Sequence, residues 1–364
     1  MKILYIVPDI TDSGGIARVI SLKANYLVTH FKYDVCILSV NDCGNNRFYD
    51  FDQAIRWYNI CKMNNTLLFL KKYIHFIKQT ISIEKPDVII VCDAVLWAFI
   101  PWFLKTKIPI IFETHFSVTF QKERNNSFKD KIRTKLVRFF KQNMINKFYC
   151  SVFETIEGSL EWNLKQCKVI PNPLSFDVDI IAALVNKRVM AVCMNPYVKG
   201  LDRLLLIWAK VIENHSDWML DIYGKWDSDL KCSKMANDLN ISNNVNFNMF
   251  TRTIQDKYYQ SSLFLMTSRS EAFGMVLIEA MASGLPCLAY DCPIGPRAII
   301  NEGENGFLIE DGNVDSFVQK LELLIDNENL RRRMGENAIT SIKKYNIDSI
   351  MQQWKMLFES LVKQ

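Results

Sequence analysis

Two carboxylates eight positions apart mark the segment best equipped for chemistry. They are Glu271 and Glu279 in Ser268-Arg-Ser-Glu-Ala-Phe-Gly-Met-Val-Leu-Ile-Glu-Ala-Met-Ala-Ser-Gly-Leu-Pro286. An apolar run, Leu263–Met266, leads into a polar loop, and Gly274 opens a helical stretch. Free backbone amides at a helix start bind anions, and glycine there carries no side chain to hold a ligand off. A phosphate at that start, with a carboxylate on each side to accept sugar hydroxyls, makes a receptor for a nucleotide sugar. In Val198-Lys-Gly-Leu-Asp202, Lys199 beside Gly200 sits at a strand-to-helix turn, where an ammonium reaches a phosphate as a point charge. His115, one of four histidines, follows the apolar run Ile108–Phe112, with Glu113 able to orient it. The pair Gly14-Gly15 in Asp12-Ser-Gly-Gly-Ile-Ala-Arg18 follows the first apolar run and begins a helix.

Strands and turns must present these positions. Solid apolar runs recur at Ile3–Val7, Val35–Val40, Val88–Cys92, Ile108–Phe112, Lys147–Val152 and Lys168–Ile170. They resume at Val189–Met194, Met219–Ile222, Val245–Phe247, Leu263–Met266 and Pro286–Ala289. Continuous rather than alternating hydrophobicity is the mark of strands covered on both faces. Helical patterns at Leu201–Glu213, Ile254–Gln260 and Val276–Ala282 fall between them, which predicts βαβ units and parallel sheets. Ligands of such sheets lie at the carboxyl ends of the strands. Two prolines around one asparagine in Val169-Ile-Pro-Asn-Pro-Leu174 stop both helix and strand, and divide the chain into two α/β halves. No G-x-G-x-x-G or G-K-[ST] motif is present, so dehydrogenase and P-loop readings lose their main support.

With 364 residues, 49% hydrophobic and 23% charged, the chain suits two globular domains and excludes global disorder. Its ten cysteines never form C-x-x-C and read as reduced thiols in a cytosolic setting, with no metal and no disulfide framework. The net charge of +5 is concentrated: Lys122 to Lys147 holds nine Lys/Arg against Glu123 and Asp130, or +7. Apolar Ile132, Leu136, Phe139, Phe140, Met144 and Phe148 fall near helical spacing there. The segment reads either as a solvated helix or as an interfacial helix drawn to anionic lipid. No nucleic-acid motif accompanies the charge. Val88 to Leu104, interrupted by Asp93 and Pro101, reads as a buried strand and helix rather than a membrane span.

The Glu271–Glu279 stretch resembles the E-x7-E signature of the retaining glycosyltransferases of family 4. The resemblance continues through Tyr290-Asp-Cys-Pro-Ile-Gly-Pro-Arg297, Asn305-Gly-Phe-Leu308 and Ile170-Pro-Asn-Pro. It is specific over the second half and weaker over the first. It implies the α/β GT-B fold, two Rossmann-like domains whose parallel sheets face each other across a cleft that holds the active site. Residues 1–170 would form the acceptor side and 171–345 the nucleotide-sugar domain, with 346–364 a helix returning to the first. The same resemblance implies that Glu271 contacts the transferred sugar, that the amides of Phe273, Gly274, Met275 and Val276 hold its surroundings and the diphosphate, and that Glu279 binds ribose hydroxyls. Lys199 would bind diphosphate, Gly14 and Gly15 would let backbone approach donor and acceptor, and His115 would contact sugar or acceptor. The family usually has an arginine five residues before the lysine, where this chain has Met194; Arg252, Arg269 or Arg297 is then a candidate substitute.

The expected reaction is transfer, with retention, of a hexose or N-acetylhexosamine from a UDP-linked sugar to a glycan or lipid-linked saccharide. The setting would be bacterial surface polysaccharide synthesis at the inner face of the cytoplasmic membrane. No cofactor and no metal are called for, and Asp227-Ser-Asp229 is read as a variable turn rather than a metal motif. Acceptor choice would rest on the loops Asn41–Asp52 and Phe116–Asn126. A sugar-nucleotide epimerase or hydrolase, and a catalytically degenerate GT-B binding protein for which Met194 argues, are the rival readings.

Overall fold

The computed structural model describes residues 1–40, 47–92, 99–115, 139, 142–162, 164, 166–176, 180–226 and 231–362. They divide into two compact units, Met1–Ser175 with Ile347–Gln364, and Phe176–Asn346. The first unit therefore extends five residues past the expected boundary and takes back the C-terminal segment.

The first unit is built on a seven-stranded sheet: β1 (Lys2–Val7), β2 (Asp34–Val40), β3 (Arg56–Ile60), β4 (Val88–Cys92), β5 (Ile110–Glu113), β6 (Cys150–Phe153) and β7 (Cys167–Val169). Its order is β3-β2-β1-β4-β5-β6-β7, parallel throughout. Helices α1 (Gly15–Thr29), α2 (Thr66–Glu84), α3 (Ile100–Leu104) and α4 (Ile156–Trp162) connect the strands. The reason for the solid apolar runs is visible in β1. Ile3, Tyr5 and Val7 enter one core with Ile20 and Leu27 of α1, while Leu4 and Ile6 enter another with Phe69, Tyr73 and Ile77 of α2. Both faces are covered, so neither can be polar.

The second unit carries a six-stranded parallel sheet: β8 (Arg188–Cys193), β9 (Met219–Gly224), β10 (Val245–Asn248), β11 (Leu263–Met266), β12 (Cys287–Tyr290) and β13 (Gly306–Ile309). The order is β10-β9-β8-β11-β12-β13. Its helices are α5 (Leu201–Val211), α6 (Lys231–Asp238), α7 (Ile254–Tyr259), α8 (Met275–Ala282), α9 (Pro296–Ile299), α10 (Val314–Asp326) and α11 (Glu328–Ser341). The final helix, α12 (Ile347–Val362), buries Ile350, Trp354 and Phe358 in the core of the first unit, where the Tyr26 hydroxyl also donates to Asp348.

In each sheet strand order reverses once, between β1 and β4 and between β8 and β11. Connections leave in opposite directions there and open a crevice at the carboxyl ends. Among the described residues no helix is long and apolar enough to cross a membrane. The cysteine reading needs one correction. Cys61 is disulfide-bonded, whereas Cys36, Cys92, Cys150, Cys167, Cys193, Cys232, Cys287 and Cys292 are free. Spacing in sequence does not report which thiols the fold brings together.

Candidate active site

At the reversal point of the second sheet, the loops after β8 and β11 are laced together. The Thr267 hydroxyl donates to the Lys199 and Gly200 carbonyls at 3.2 and 3.0 Å, and the Arg269 amide donates to the Val198 carbonyl at 2.8 Å. Gly200 has φ +64°, and a Cβ there would lie 2.0 Å from the Thr267 carbonyl oxygen, so only glycine permits this approach. The consequence is chemical: Lys199 Nζ donates to Glu271 Oε1 at 2.5 Å, across 72 positions of sequence. The Ser268 hydroxyl donates to the same oxygen at 2.7 Å. Cys193, Lys199, Thr267, Ser268 and Val276 line one recess.

Gly274 is the residue before α8, followed by Met275 and Val276 in its first turn. Phe273 is buried against Tyr345, and Gly295 of the Asp291-Cys-Pro-Ile-Gly-Pro-Arg297 loop supports it. A Cβ on Gly295 would lie 2.6 Å from the Phe273 carbonyl oxygen and 2.8 Å from the Glu271 Cβ. Glu279 stands one turn further along α8, buried, with its Oε2 accepting from the Tyr258 hydroxyl of α7 at 3.1 Å. Burial pushes the Cys193 thiol up to about 12 and the Cys292 thiol higher still, so neither supplies a thiolate nucleophile beside Glu271.

The arginines considered as substitutes at Met194 are committed. Arg269 makes a two-pronged pair with Asp202 at 2.8 and 2.6 Å and also holds the Tyr197 carbonyl. Arg297 does the same with Asp291 at 2.9 and 2.8 Å, and Arg252 is not free. Sequence reasoning missed a different cation. Cys193 and Gly224 are register partners at the ends of β8 and β9, so Met194 and Lys225 are the first residues after two adjacent strands. The Lys225 amide donates to the Cys193 carbonyl at 2.7 Å; its side chain is exposed and joins no ion pair of the described residues. Only strand pairing reveals it.

The first unit holds Gly14, Gly15 and His115. The Gly14 amide donates to Asp12 Oδ1 at 2.9 Å, and a Cβ on Gly15 would meet nothing within 4 Å. Packing therefore does not demand glycine at 15. His115 follows β5, and its ring is enclosed, with 3% of the side chain exposed. Its Nδ1 lies 2.9 Å from Glu154 Oε1, which also accepts from the Asn172 side-chain amide, and its Nε2 lies 3.5 Å from Glu113 Oε1. Lys23 of α1, buried under the Trp354 ring 3.9 Å from its Nζ, pairs with that same Glu113 oxygen. Burial raises the Glu113 carboxyl, but the charges of Lys23 and His115 outweigh it and hold the group below its ordinary value. Glu154, Asn172 and Lys23 carry no recognisable spacing, and their part is legible only in the fold.

Cys92, Glu113 and His115 place ligand atoms within 4.8 Å of one another. The Lys23 ammonium already neutralises Glu113 there, and a divalent ion would stand beside it as a like charge. The residues present do not fit a metal. Asp227-Ser-Asp229 and most of 122–147 lie outside the described residues; Phe139 and 142–147 lie within them.

The profile of the family described as glycosyl transferases group 1 matches residues 187–341, the span of the second-unit site. Over 363 residues, covering 97% of this chain and 99% of the relative, the sequence is 31% identical to an uncharacterized glycosyltransferase of Haemophilus influenzae. The chain belongs to the group 1 glycosyl transferases. This glycosyltransferase is also 26% identical to the amylovoran biosynthesis glycosyltransferase AmsD of Erwinia amylovora, over 97% of the chain and 98% of that relative. A structure of S. aureus TarM in complex with UDP superposes with a TM-score of 0.78 at 17% identity, covering 98% of this chain and 99% of that one. The two parallel sheets and this likeness give the glycosyltransferase the GT-B fold.

Proposed function

We propose that this glycosyltransferase moves a hexose or N-acetylhexosamine, with retention as in family 4, from a UDP-sugar to a hydroxyl of a glycan or lipid-linked saccharide in surface polysaccharide assembly. The observation that carries the reading is the Lys199–Glu271 contact beside the start of α8. A cation for the diphosphate, a carboxylate for the sugar and free helix-end amides stand together at the carboxyl ends of β8 and β11. AmsD's role in amylovoran biosynthesis and the UDP bound to TarM support the polysaccharide setting and the choice of nucleotide.

In this reading the anomeric C–O bond breaks and its electron pair leaves on the UDP oxygen. Lys199 and the amides of Phe273, Gly274, Met275 and Val276 stabilise that charge. The acceptor oxygen bonds the same face of the anomeric carbon and passes its proton to the departing phosphate. Glu271 orients the sugar, Glu279 holds the ribose hydroxyls, Gly14 and Gly15 admit donor and acceptor backbone contacts, and His115 serves the sugar or acceptor end. Lys225 supplies the second cation that Met194 does not. No cofactor or metal takes part. We also propose peripheral contact with the inner face of the cytoplasmic membrane through the basic stretch 122–147, where Lys147 lies over the exposed ring of Trp102.

A thermal-shift series with UDP, GDP, ADP and their common sugars tests the donor. UDP should raise the melting temperature by several degrees through preferential binding to the native state, and Lys199→Ala should abolish that rise. A response to GDP or ADP alone would overturn the choice of nucleotide. An inverted anomer in the product would overturn retention.

A further inference from the structure

Four ionisable side chains are buried together at the carboxyl ends of β5 and β6, and only some of them have a duty in packing. Lys23 and Glu113 neutralise each other. Glu154 does not share in that pair. Its Oε1 is directed at His115 Nδ1, at 2.9 Å, and the Asn172 amide, from the segment after β7, donates to the same atom at 2.5 Å. A buried carboxylate that could have been a small apolar residue is costly unless its geometry is used. An ionised carboxylate only accepts hydrogen bonds, so this contact requires the proton on Nδ1. The ring is thereby turned so that Nε2 bears on Glu113.

We propose that Glu154 is a positioning residue: held by Asn172, it fixes the ring and the Nδ1 proton of His115, and through His115 the carboxyl end of β5. The inference rests on the assignment of His115 to the sugar or acceptor end of the reaction. Glu154 does not touch substrate. Asn172 has the same duty one step further out, restraining the carboxylate so that a single oxygen meets the imidazole. A displacement of reacting groups by about 1 Å costs about a hundredfold in rate, which sets the scale of the effect.

The test uses the full-length protein labelled with 15N-histidine, whose four histidines give separable ring signals. In the wild type, His115 should carry its proton on Nδ1. Glu154→Leu removes the acceptor altogether and should shift the His115 ring-nitrogen signals as Nδ1 loses its partner, leaving His30, His75 and His215 unchanged as controls for folding. Asn172→Ala should give a smaller change in the same signals. UDP release from UDP-glucose, UDP-galactose and UDP-N-acetylglucosamine is then measured with water as the acceptor. Glu154→Leu should lower kcat roughly tenfold to a hundredfold, with donor KM held within about twofold. Glu154→Asp should recover part of the loss, since it restores an acceptor at a shorter reach. Unchanged His115 signals in Glu154→Leu would overturn the clamp itself. Shifted signals with unchanged kcat would instead show that the clamp exists but His115 has no part in turnover, which overturns the proposal at the step taken from the functional assignment.

Discussion

Lys199–Glu271 in the second unit and Lys23–Glu113 in the first are the same chemical pair in different surroundings. The side chains of the first are 21% and 10% exposed, those of the second 1% and 4%. The accessible pair joins two loops at strand ends, where the proposed function has an arriving diphosphate replace the carboxylate as the partner of the lysine. The enclosed pair lies under α1 and the Trp354 ring of α12, where nothing from solution reaches either charge. The same two residue types are therefore open to solution in one unit and sealed in the other, and in the proposed function the open pair is the one that meets the diphosphate.

The comparison breaks most visibly in stability. Lys23→Met leaves Glu113 buried without its main counter-charge and should cost roughly 3–5 kcal/mol, read from urea unfolding, whereas Lys199→Ala should leave the midpoint almost unmoved. Equal stability of the two variants would abolish the distinction. In turnover the order reverses: removing the Lys199 ammonium should lower kcat by about a hundred- to a thousandfold, the cost of deleting one group that stabilises a transition-state charge. Within the same site, Glu271→Ala should reduce transfer more than UDP affinity, and Glu279→Ala should do the opposite. Titration calorimetry with UDP beside turnover separates the two, and wild-type behaviour of both would sink the assignment.

A finer test asks whether Lys225 stands in for the missing arginine. Lys225→Ala should weaken UDP binding by about tenfold, and adding Met194→Arg in that background should restore most of it; no recovery would remove Lys225 from the site. The smallest expected effect concerns pH. Because the folded Glu113 carboxyl is held below its ordinary value of 4.5, its contribution is complete above that pH and drains away as pH falls further. Unfolding midpoints from pH 7 to pH 3 should show a decline in the wild type that is shallower in Lys23→Met.

Much of this architecture could be read before any coordinates. The apolar runs located eleven of the thirteen strands among the described residues because both sheets are covered on both faces. The exceptions are instructive. β3, Arg-Trp-Tyr-Asn-Ile, is a partly exposed edge strand with polar positions, and β13 opens on Gly306, where a Cβ would lie 2.3 Å from the Cys287 carbonyl oxygen. Edge position and close backbone approach both dilute the apolar signal. Lys199 and Gly274 stood out in the sequence because a turn and a helix start favour particular residue types there, and Phe273 and Glu279 because the stretch resembles the E-x7-E signature.

The sequence by itself determined the alternation of strands and helices, a division into two units after Ile170 of the Val169–Leu174 segment, five residues short of the structural boundary at Ser175, and the E-x7-E helix start, since each depends on neighbours a few positions away. Tertiary structure alone decided that Lys199 meets Glu271, that Lys225 and Met194 follow adjacent strands, and that Glu154, held by Asn172, meets His115. Those meetings follow from strand order, β8 between β9 and β11 and β6 between β5 and β7. Strand order is set by how whole faces pack together, and no short stretch of residues encodes it.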